Sequence, residues 1–433
     1  MMKKAFSFLT LILLVILLCA SLPGCGGGFA ANNGSGDSAG DGSSESAGNA
    51  GSSEAEAAPA GSDSAGSTVT EAVPIPLAYA DQFTMERYPD GCTAIHIGDG
   101  FSYLVIPEGV EVPAWLQTGD KGSAVTGRAA DETEYVLIRQ PQDSVYMAAS
   151  SAMDLVAALD SLDRVTMTST KANDWSIEQI RELVDAEEIV YVGKYSAPDY
   201  EAMLECECSL AVESTMIYHN PETKEAIEAL GIPVLVERSS YERDPRGRLE
   251  WIKLYGVLFG KEEEAEAFFT DREARLQKIL AETENVNTED RPRVAFFSIS
   301  ANGYATVRKP GDYICRMIEM AGGEYALNGL QLADDNALST TNIQLESFYD
   351  AAVDADILIY NSAIQQELFS LDELFDKFAE LRSCRAVQEG NVWCTGKGVF
   401  QRSAGICEMT EELYLIISGQ TDGAELESFR KLE

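Results

Sequence analysis

A two-lobed α/β fold, with mostly parallel central sheets joined by one long α-helix and preceded by a β-hairpin region, is predicted by three features of the sequence. Strand-like apolar runs alternate with helix-periodic segments from about residue 129, a helical stretch interrupts this rhythm, and the alternation restarts after Glu289-Asp290-Arg291-Pro292. Repeated β–α alternation implies parallel pairing through right-handed crossovers.

The chain opens with a leader. Lys3 and Lys4 precede an apolar run from Leu9 to Ala20, followed by Leu22-Pro23-Gly24-Cys25. A short cationic start, an apolar stretch too short to span well and a small-residue exit predict an export signal over residues 1–24, not a membrane helix. The tetrad resembles the lipobox of bacterial lipoproteins. That resemblance implies cleavage before Cys25 and a diacylglyceryl group on its thiol, with fatty acyl chains such as palmitate. Two chains on one residue satisfy the two-signal requirement for stable anchoring. An ordinary cleaved signal with an incidental Cys is the alternative. Residues 25–71 then form the anchor and a Gly/Ser/Ala/Asn/Asp linker. Such a segment buries too little apolar surface to offset its ordering entropy.

Residues 72–128 read as a β-rich extension. Thr93-Ala94-Ile95-His96-Ile97 and Tyr103-Leu104-Val105-Ile106 flank Gly98-Asp99-Gly100, a hairpin signal. The first lobe spans 129–246. Its strands are expected at 145–148, 164–167, 189–192, 210–212 and 233–236. Its helices are expected at 152–162, 176–184 (Ser176 as N-cap, Gln179 at the capping-box site), 199–205 and 221–230. The connector covers 247–285, with a helix from Arg248 to Phe259 and a longer one from Lys261 to about Thr283. The longer helix carries Ala265, Phe268, Phe269, Leu276, Ile279 and Leu280 at i, i+3, i+4 spacing. The second lobe, 290–420, repeats the alternation. Strands are expected at 294–298, 357–360 and 392–394, and helices at 312–321 (closed by Gly322-Gly323), 345–352, 371–379 and 410–417.

Bulk composition narrows function. The chain has 433 residues, 71 acidic against 32 basic, for a net charge of −39; losing Lys3 and Lys4 takes it from −39 to −41. Phosphate backbones would be repelled, so nucleic acid is excluded as a partner. Seven Cys remain beyond Cys19 and Cys25, an odd number at irregular spacing and no disulfide framework. Cys206-Glu207-Cys208 has no second pair at zinc-ribbon spacing. Only His96 and His219 are present, which argues against a His-rich metal site or a His-based triad. No Walker A loop, H-E-x-x-H or G-x-S-x-G elbow occurs in the folded part.

Several stretches together resemble the substrate-binding lipoproteins of bacterial ABC importers, in the single-helix-connector class that handles iron–siderophore complexes, haem and cobalamin-type corrinoids. They are Tyr146 to Leu162; Tyr191-Val192-Gly193-Lys194-Tyr195-Ser196-Ala197-Pro198-Asp199-Tyr200-Glu201; Gly247-Arg248-Leu249-Glu250-Trp251; Ile318-Glu319-Met320-Ala321-Gly322-Gly323; and Ala386-Val387-Gln388-Glu389-Gly390-Asn391-Val392-Trp393. The likeness runs over roughly residues 80 to 418. It implies a monomeric, non-enzymatic receptor on the extracytoplasmic face of the cell membrane. Its partners would be a permease–ATPase complex and a small metal chelate, with no cofactor and no resident metal. It also implies that one exposed Glu per lobe meets an Arg pocket on each permease subunit. The matching residues are Glu201 and Glu346, each opening a short helix before a strand.

Open α/β sheets bind ligands at strand C-termini. The loops expected there carry Ser150 and Ser151; Lys194 and Tyr195; Tyr218 and His219; Tyr241, Arg243 and Arg246; Tyr304, Arg308 and Lys309; Asn361 to Gln365; and Lys397, Phe400 and Arg402. Basic residues concentrated in loops of so acidic a chain suit an anionic ligand. The aromatic rings offer faces to a large planar or chelated one. Tyr218 and His219 are the candidates for ligating a haem or corrinoid metal. Two other classes stay open on residues alone. A membrane-anchored surface hydrolase on the same lobes would need a base, and only His219 offers one. A structural or adhesive module would have no concave site.

Overall fold

The computed structural model describes residues 71–118, 126–330, 340–363 and 367–433. The expected leader, Cys25, the linker up to residue 70, and Ile364 and Gln365 lie outside the described residues. Among the described residues no helix is long and apolar enough to cross a membrane.

The N-terminal extension is larger than a hairpin. Strands β1 (Val73–Ile75), β2 (Phe83–Arg87), β3 (Thr93–Ile97), β4 (Ser102–Ile106), β5 (Gln117–Thr118), β6 (Thr126–Arg128) and β7 (Glu134–Arg139) form one sheet in the order β1-β2-β3-β4-β7-β6-β5. The expected β3–β4 hairpin is present. Asp99 accepts the Phe101 amide at 3.2 Å and Gly100 sits at φ +93°, a left-handed turn that suits glycine. The sheet runs past Arg128 because β7 pairs parallel to β4. Period-two alternation gives it two buried faces. Tyr103 and Val105 join the apolar core of the first lobe, while Leu104 and Ile106 pack around Tyr88, Tyr135 and Trp115 on the other side.

The first lobe contains β8 (Val145–Met147), α1 (Ser150–Ala158), β9 (Val165–Thr168), α2 (Glu178–Asp185), β10 (Val190–Tyr191), α3 (Tyr200–Glu205), β13 (Leu210–Ser214), α4 (Pro221–Ala229) and β14 (Val234–Glu237). Its sheet is all-parallel, in the order β10-β9-β8-β13-β14. A small ribbon, β11 (Gly193–Lys194) with β12 (Ala197–Pro198), precedes α3. Val212 and Ala211 on β13 feed opposite cores, so both faces of the sheet are covered. Ser176 does not cap α2. Ile177 holds that place, and the Ser176 amide is drawn to Gln401 Oε1 at 2.9 Å.

The connector's first helix begins three residues earlier than expected and is broken. Asp244 caps α5 (Pro245–Glu250) by accepting the Arg246 amide at 2.9 Å, with Pro245 at the first position, where its missing N–H costs nothing. At Trp251 the chain restarts as α6 (Ile252–Phe259). The indole packs on Phe83 at 4.7 Å and donates to Glu242 Oε1 at 2.9 Å. The long helix α7 (Glu262–Thr283) has 22 residues, about 33 Å at 1.5 Å per residue. Its first half (Ala265, Phe269) lies in the first lobe's core. Its second half (Leu276, Ile279) packs on Met320 and Cys407 of the second lobe. Two buried carboxylates of the connector region clamp the extension. Glu250 accepts the amides of Ala78, Tyr79 and Ala80 at 2.8–3.0 Å, and Glu242 accepts those of Asp81 and Gln82 at 2.9 and 3.1 Å.

The second lobe contains β15 (Arg293–Ile299), β16 (Tyr304–Arg308), α8 (Tyr313–Met320), β17 (Glu324–Tyr325), β18 (Thr340–Gln344), α9 (Leu345–Ala352), β19 (Ile357–Tyr360), α10 (Leu371–Lys377), α11 (Arg385–Glu389), β20 (Val392–Thr395), α12 (Ile406–Ser418) and β21 (Phe429–Lys431). Its order is β18-β16-β15-β19-β20-β21, with β17 also on β15. The β15-β19-β20 centre is parallel; β16, β18 and β21 run antiparallel. Segment 302–309, expected as a loop, is mostly the strand β16.

Candidate ligand-binding site

The first lobe presents its expected site residues where the parallel strands end. Ser150 opens α1 and is half-buried. Lys194 is exposed on the β11–β12 ribbon. Gly193 there has φ +98°, and a Cβ would stand 2.8 Å from the Ala197 carbonyl, so the tight ribbon requires glycine. Tyr195 is half-buried against the core that contains Tyr146 and Val192. Past β13, a short 3-10 turn (Thr215–His219) holds Tyr218 half-buried and leaves Met216 and His219 exposed. The Tyr218 hydroxyl donates to Asp99 Oδ2. Burial, then this carboxylate, holds its pKa well above the ordinary phenolic value. Past β14, the Arg238 guanidinium lies over the Tyr241 ring at 4.5 Å, and Arg243 is exposed.

The expected cations divide into two groups. Arg246 is bound by Asp244 (2.6 Å) and stacks on Tyr79 at 4.0 Å. Arg308 is buried, donates to Asp312 Oδ2 at 3.4 Å and lies under the Phe400 ring at 4.5 Å. Arg402 pairs with Glu427 at 2.6 Å. Lys309, next to Arg308, is half-buried. Lys194, Arg243 and Lys397 are exposed and make no ion pair among the described residues. Tyr304 is 39% exposed at the start of β16.

The lobes meet along segment 398–405, which overlaps the loop 397–402 assigned from sequence to ligand contact, and Arg316 also stands 4.0 Å from Asp244. Gln401 donates to the Asp174 carbonyl at 2.8 Å and accepts the Ser176 amide. Asp154, on α1, accepts the Ala404 and Gly405 amides at 2.8 and 3.3 Å. Burial raises the Asp154 pKa, and the two amides offset part of that rise. Arg248, buried on α5, stacks on Tyr313 at 4.6 Å and donates to Ser403 Oγ at 3.3 Å and the Phe400 carbonyl at 3.5 Å. These hydrogen bonds bridge partners 152 to 251 residues apart. Nothing local in the sequence announces them. A groove of about 670 Å³ lies elsewhere, along the exposed acidic face of α7 between Glu262 and Asp271.

This architecture agrees with a match over residues 145–397 to the family model described as periplasmic binding protein. The matched span runs from β8 through the connector to the end of β20, more than half of the chain. The chain belongs to the periplasmic binding protein family. Members are the solute-binding partners of ABC importers and are not enzymes. Among solved structures, this binding protein is similar to a periplasmic binding protein from Veillonella parvula, with 16% identity, TM-score 0.54, and 70% of this chain and 97% of that one covered. It is also similar to a petrobactin-binding protein from Bacillus subtilis (13% identity, TM-score 0.52, covering 67% and 96%). A periplasmic heme binding protein from Pseudomonas aeruginosa gives 16% identity and TM-score 0.50, covering 66% and 95%. In sequence it is 22% identical over 338 residues to an uncharacterized lipoprotein of Methanocaldococcus jannaschii, covering 75% of this chain and 77% of that one.

Glu201 and Glu346 of the binding protein are both exposed in the first turns of α3 and α9. Asp199 caps α3, accepting the Glu201 and Ala202 amides at 3.1 and 3.2 Å, so Glu201 is not needed as the cap. Among the described residues no cluster of three or more His, Cys, Asp or Glu could hold a metal ion. Sequence reasoning missed Asp99, Asp154, Arg238 and Arg248. It also missed Glu213 on β13, which is wholly buried with neither carboxylate oxygen hydrogen-bonded among the described residues. Burial pushes that carboxyl up to about 8.

Proposed function

We propose that this binding protein is anchored by lipid at Cys25 and captures an anionic metal chelate or tetrapyrrole between its lobes. The candidates are a ferric siderophore, haem or a corrinoid, delivered by a monomeric receptor to an ABC permease. The observation that carries this reading is exposure: Lys194, Arg243 and Lys397 stand exposed in an otherwise strongly acidic chain, while Tyr195, Tyr218 and Tyr241 are half-buried and Tyr304 is exposed. Cations with no ion-pair partner among the described residues favour an anionic group, and aromatic faces favour a large, partly apolar body. The heme- and petrobactin-binding neighbours support the same class. Ser150, His219, Arg308, Lys309 and Arg402 complete the proposed contact set; for Arg308 and Arg402 contact requires sharing or exchanging the present carboxylate partner. Glu201 and Glu346 are proposed to dock on the permease through charge-assisted pairs.

The test is uptake. Glu201→Arg with Glu346→Arg should leave ligand capture intact and abolish transport. Retained transport refutes the docking role. Cys25→Ala should release the protein from the membrane, and continued attachment refutes the anchor.

A further inference from the structure

The N-terminal sheet ends at Arg139, before the family-matched residues begin at 145. Its β3–β4 tip nevertheless reaches the place where β13 and the edge strand β14 of the first lobe end. Four contacts fix it there. The Tyr218 hydroxyl donates to Asp99. The Lys224 ammonium, in the first turn of α4, stands 4.7 Å over the Phe101 ring. Tyr103 accepts the Val236 amide at 3.3 Å. Arg238 Nη2 donates to Gln82 Oε1 at 3.3 Å, while Gly98 closes on the Gln82 carbonyl at 2.8 Å. Tyr218, Lys224, Val236 and Arg238 all lie at or beyond the C-terminal ends of β13 and β14, the end of a parallel sheet where ligands bind.

We propose that the N-terminal sheet forms a third wall of the ligand site, with Asp99 the positioning residue that sets Tyr218. This rests on the reading of the rim as a ligand site. The chemistry is specific. A carboxylate that accepts from a phenol fixes the ring's rotation and draws the hydroxyl proton away from the cleft, leaving an oxygen lone pair and the ring face for the ligand. Gln82 of the same sheet accepts from Arg238, and Arg238 in turn lies over Tyr241. Two residues from outside the family-matched span, Asp99 and Gln82, thereby hold Tyr218 and the Arg238–Tyr241 pair. The sheet shares a continuous core with the lobe through Phe83, Ile95, Tyr103 and Ile138, so its tip is held rigidly.

The experiment is calorimetric titration of the full mature chain and its variants with haemin, cobinamide, a ferric catecholate and a ferric hydroxamate. The variants are Asp99→Asn, Tyr218→Phe and their double, with Asp131→Asn in the β6–β7 turn of the same sheet as a control. For the probe that binds the parent chain, Asp99→Asn and Tyr218→Phe should each weaken binding about tenfold, the size of one charge-assisted hydrogen bond. The double variant should lose no more than either single one, and Asp131→Asn should bind normally. Parent-like affinity in Asp99→Asn overturns the inference and leaves the cleft reading standing. Binding of no probe by the parent chain overturns both. If Asp99→Asn does not fold, Tyr218→Phe decides, and unchanged affinity there overturns the proposal.

Discussion

Replacing Glu213 with Gln should reshape the pH dependence of stability. The carboxyl is wholly buried on the strand that leads to Tyr218 and His219, and neither oxygen has a hydrogen-bond partner among the described residues. Burial raises its pKa from the ordinary 4.5 to about 8. The folded protein therefore keeps a proton that the unfolded chain sheds. Stability from this group is complete below pH 4.5, declines as pH rises, and is lost once pH passes 8. Each pH unit costs about 1.4 kcal/mol, or about 5 kcal/mol across the window. Gln cannot ionise, so E213Q should match the parent near pH 4.5 and exceed it by about 5 kcal/mol above pH 8. Urea unfolding of both proteins at pH 5, 6.5 and 8.5 measures the difference directly, because other titrating groups cancel between them. A difference that stays constant with pH refutes an uncompensated buried carboxyl.

Other perturbations probe the frame around the rim. Phe83→Ala should cost about 3–5 kcal/mol and lower one common unfolding transition, because Phe83 joins the extension to the first lobe's core against Trp251; two separate calorimetric transitions would contradict the shared core. Gly247→Ala would put a Cβ 2.8 Å from the Tyr79 carbonyl, which should destabilise by about 1–3 kcal/mol and expose 78–82 to limited proteolysis; unchanged proteolysis would contradict the clamp. Among the described thiols, iodoacetamide should label Cys206 first, since Cys92, Cys315, Cys384, Cys394 and Cys407 are buried and burial lifts Cys208 to about 11. Peptide mass spectrometry showing a buried thiol modified first would contradict that order.

The first lobe was legible because its strands are uninterrupted apolar runs and its helices keep a clean period. Val145-Tyr146-Met147 and Leu210-Ala211-Val212 are buried on both faces, the arrangement such runs encode. The β16 strand was not legible. Only Ala305 and Val307 alternate, and they sit among Tyr304, Thr306 and Arg308 after an Asn-Gly turn. The size of the extension was hidden because β4 pairs with β7 across some thirty residues, a contact no local pattern encodes. The connector's start was readable in Asp244-Pro245 as a cap and first-turn proline, yet the break at Trp251 depends on Phe83 and Glu242 from elsewhere. The candidate site was legible in its residue types and not in its pairings. Arg402 meets Glu427, and Gln401 meets Asp174 and Ser176, only in three dimensions.

The receptor reading stands or falls on a solute. Titrating the purified mature chain with haemin, cobinamide and ferric siderophore complexes should give one saturable, one-to-one isotherm, weakened when Lys194 and Arg243 are changed to Glu. Flat heats from every compound, or binding indifferent to both charge reversals, would contradict an anion-capturing cleft.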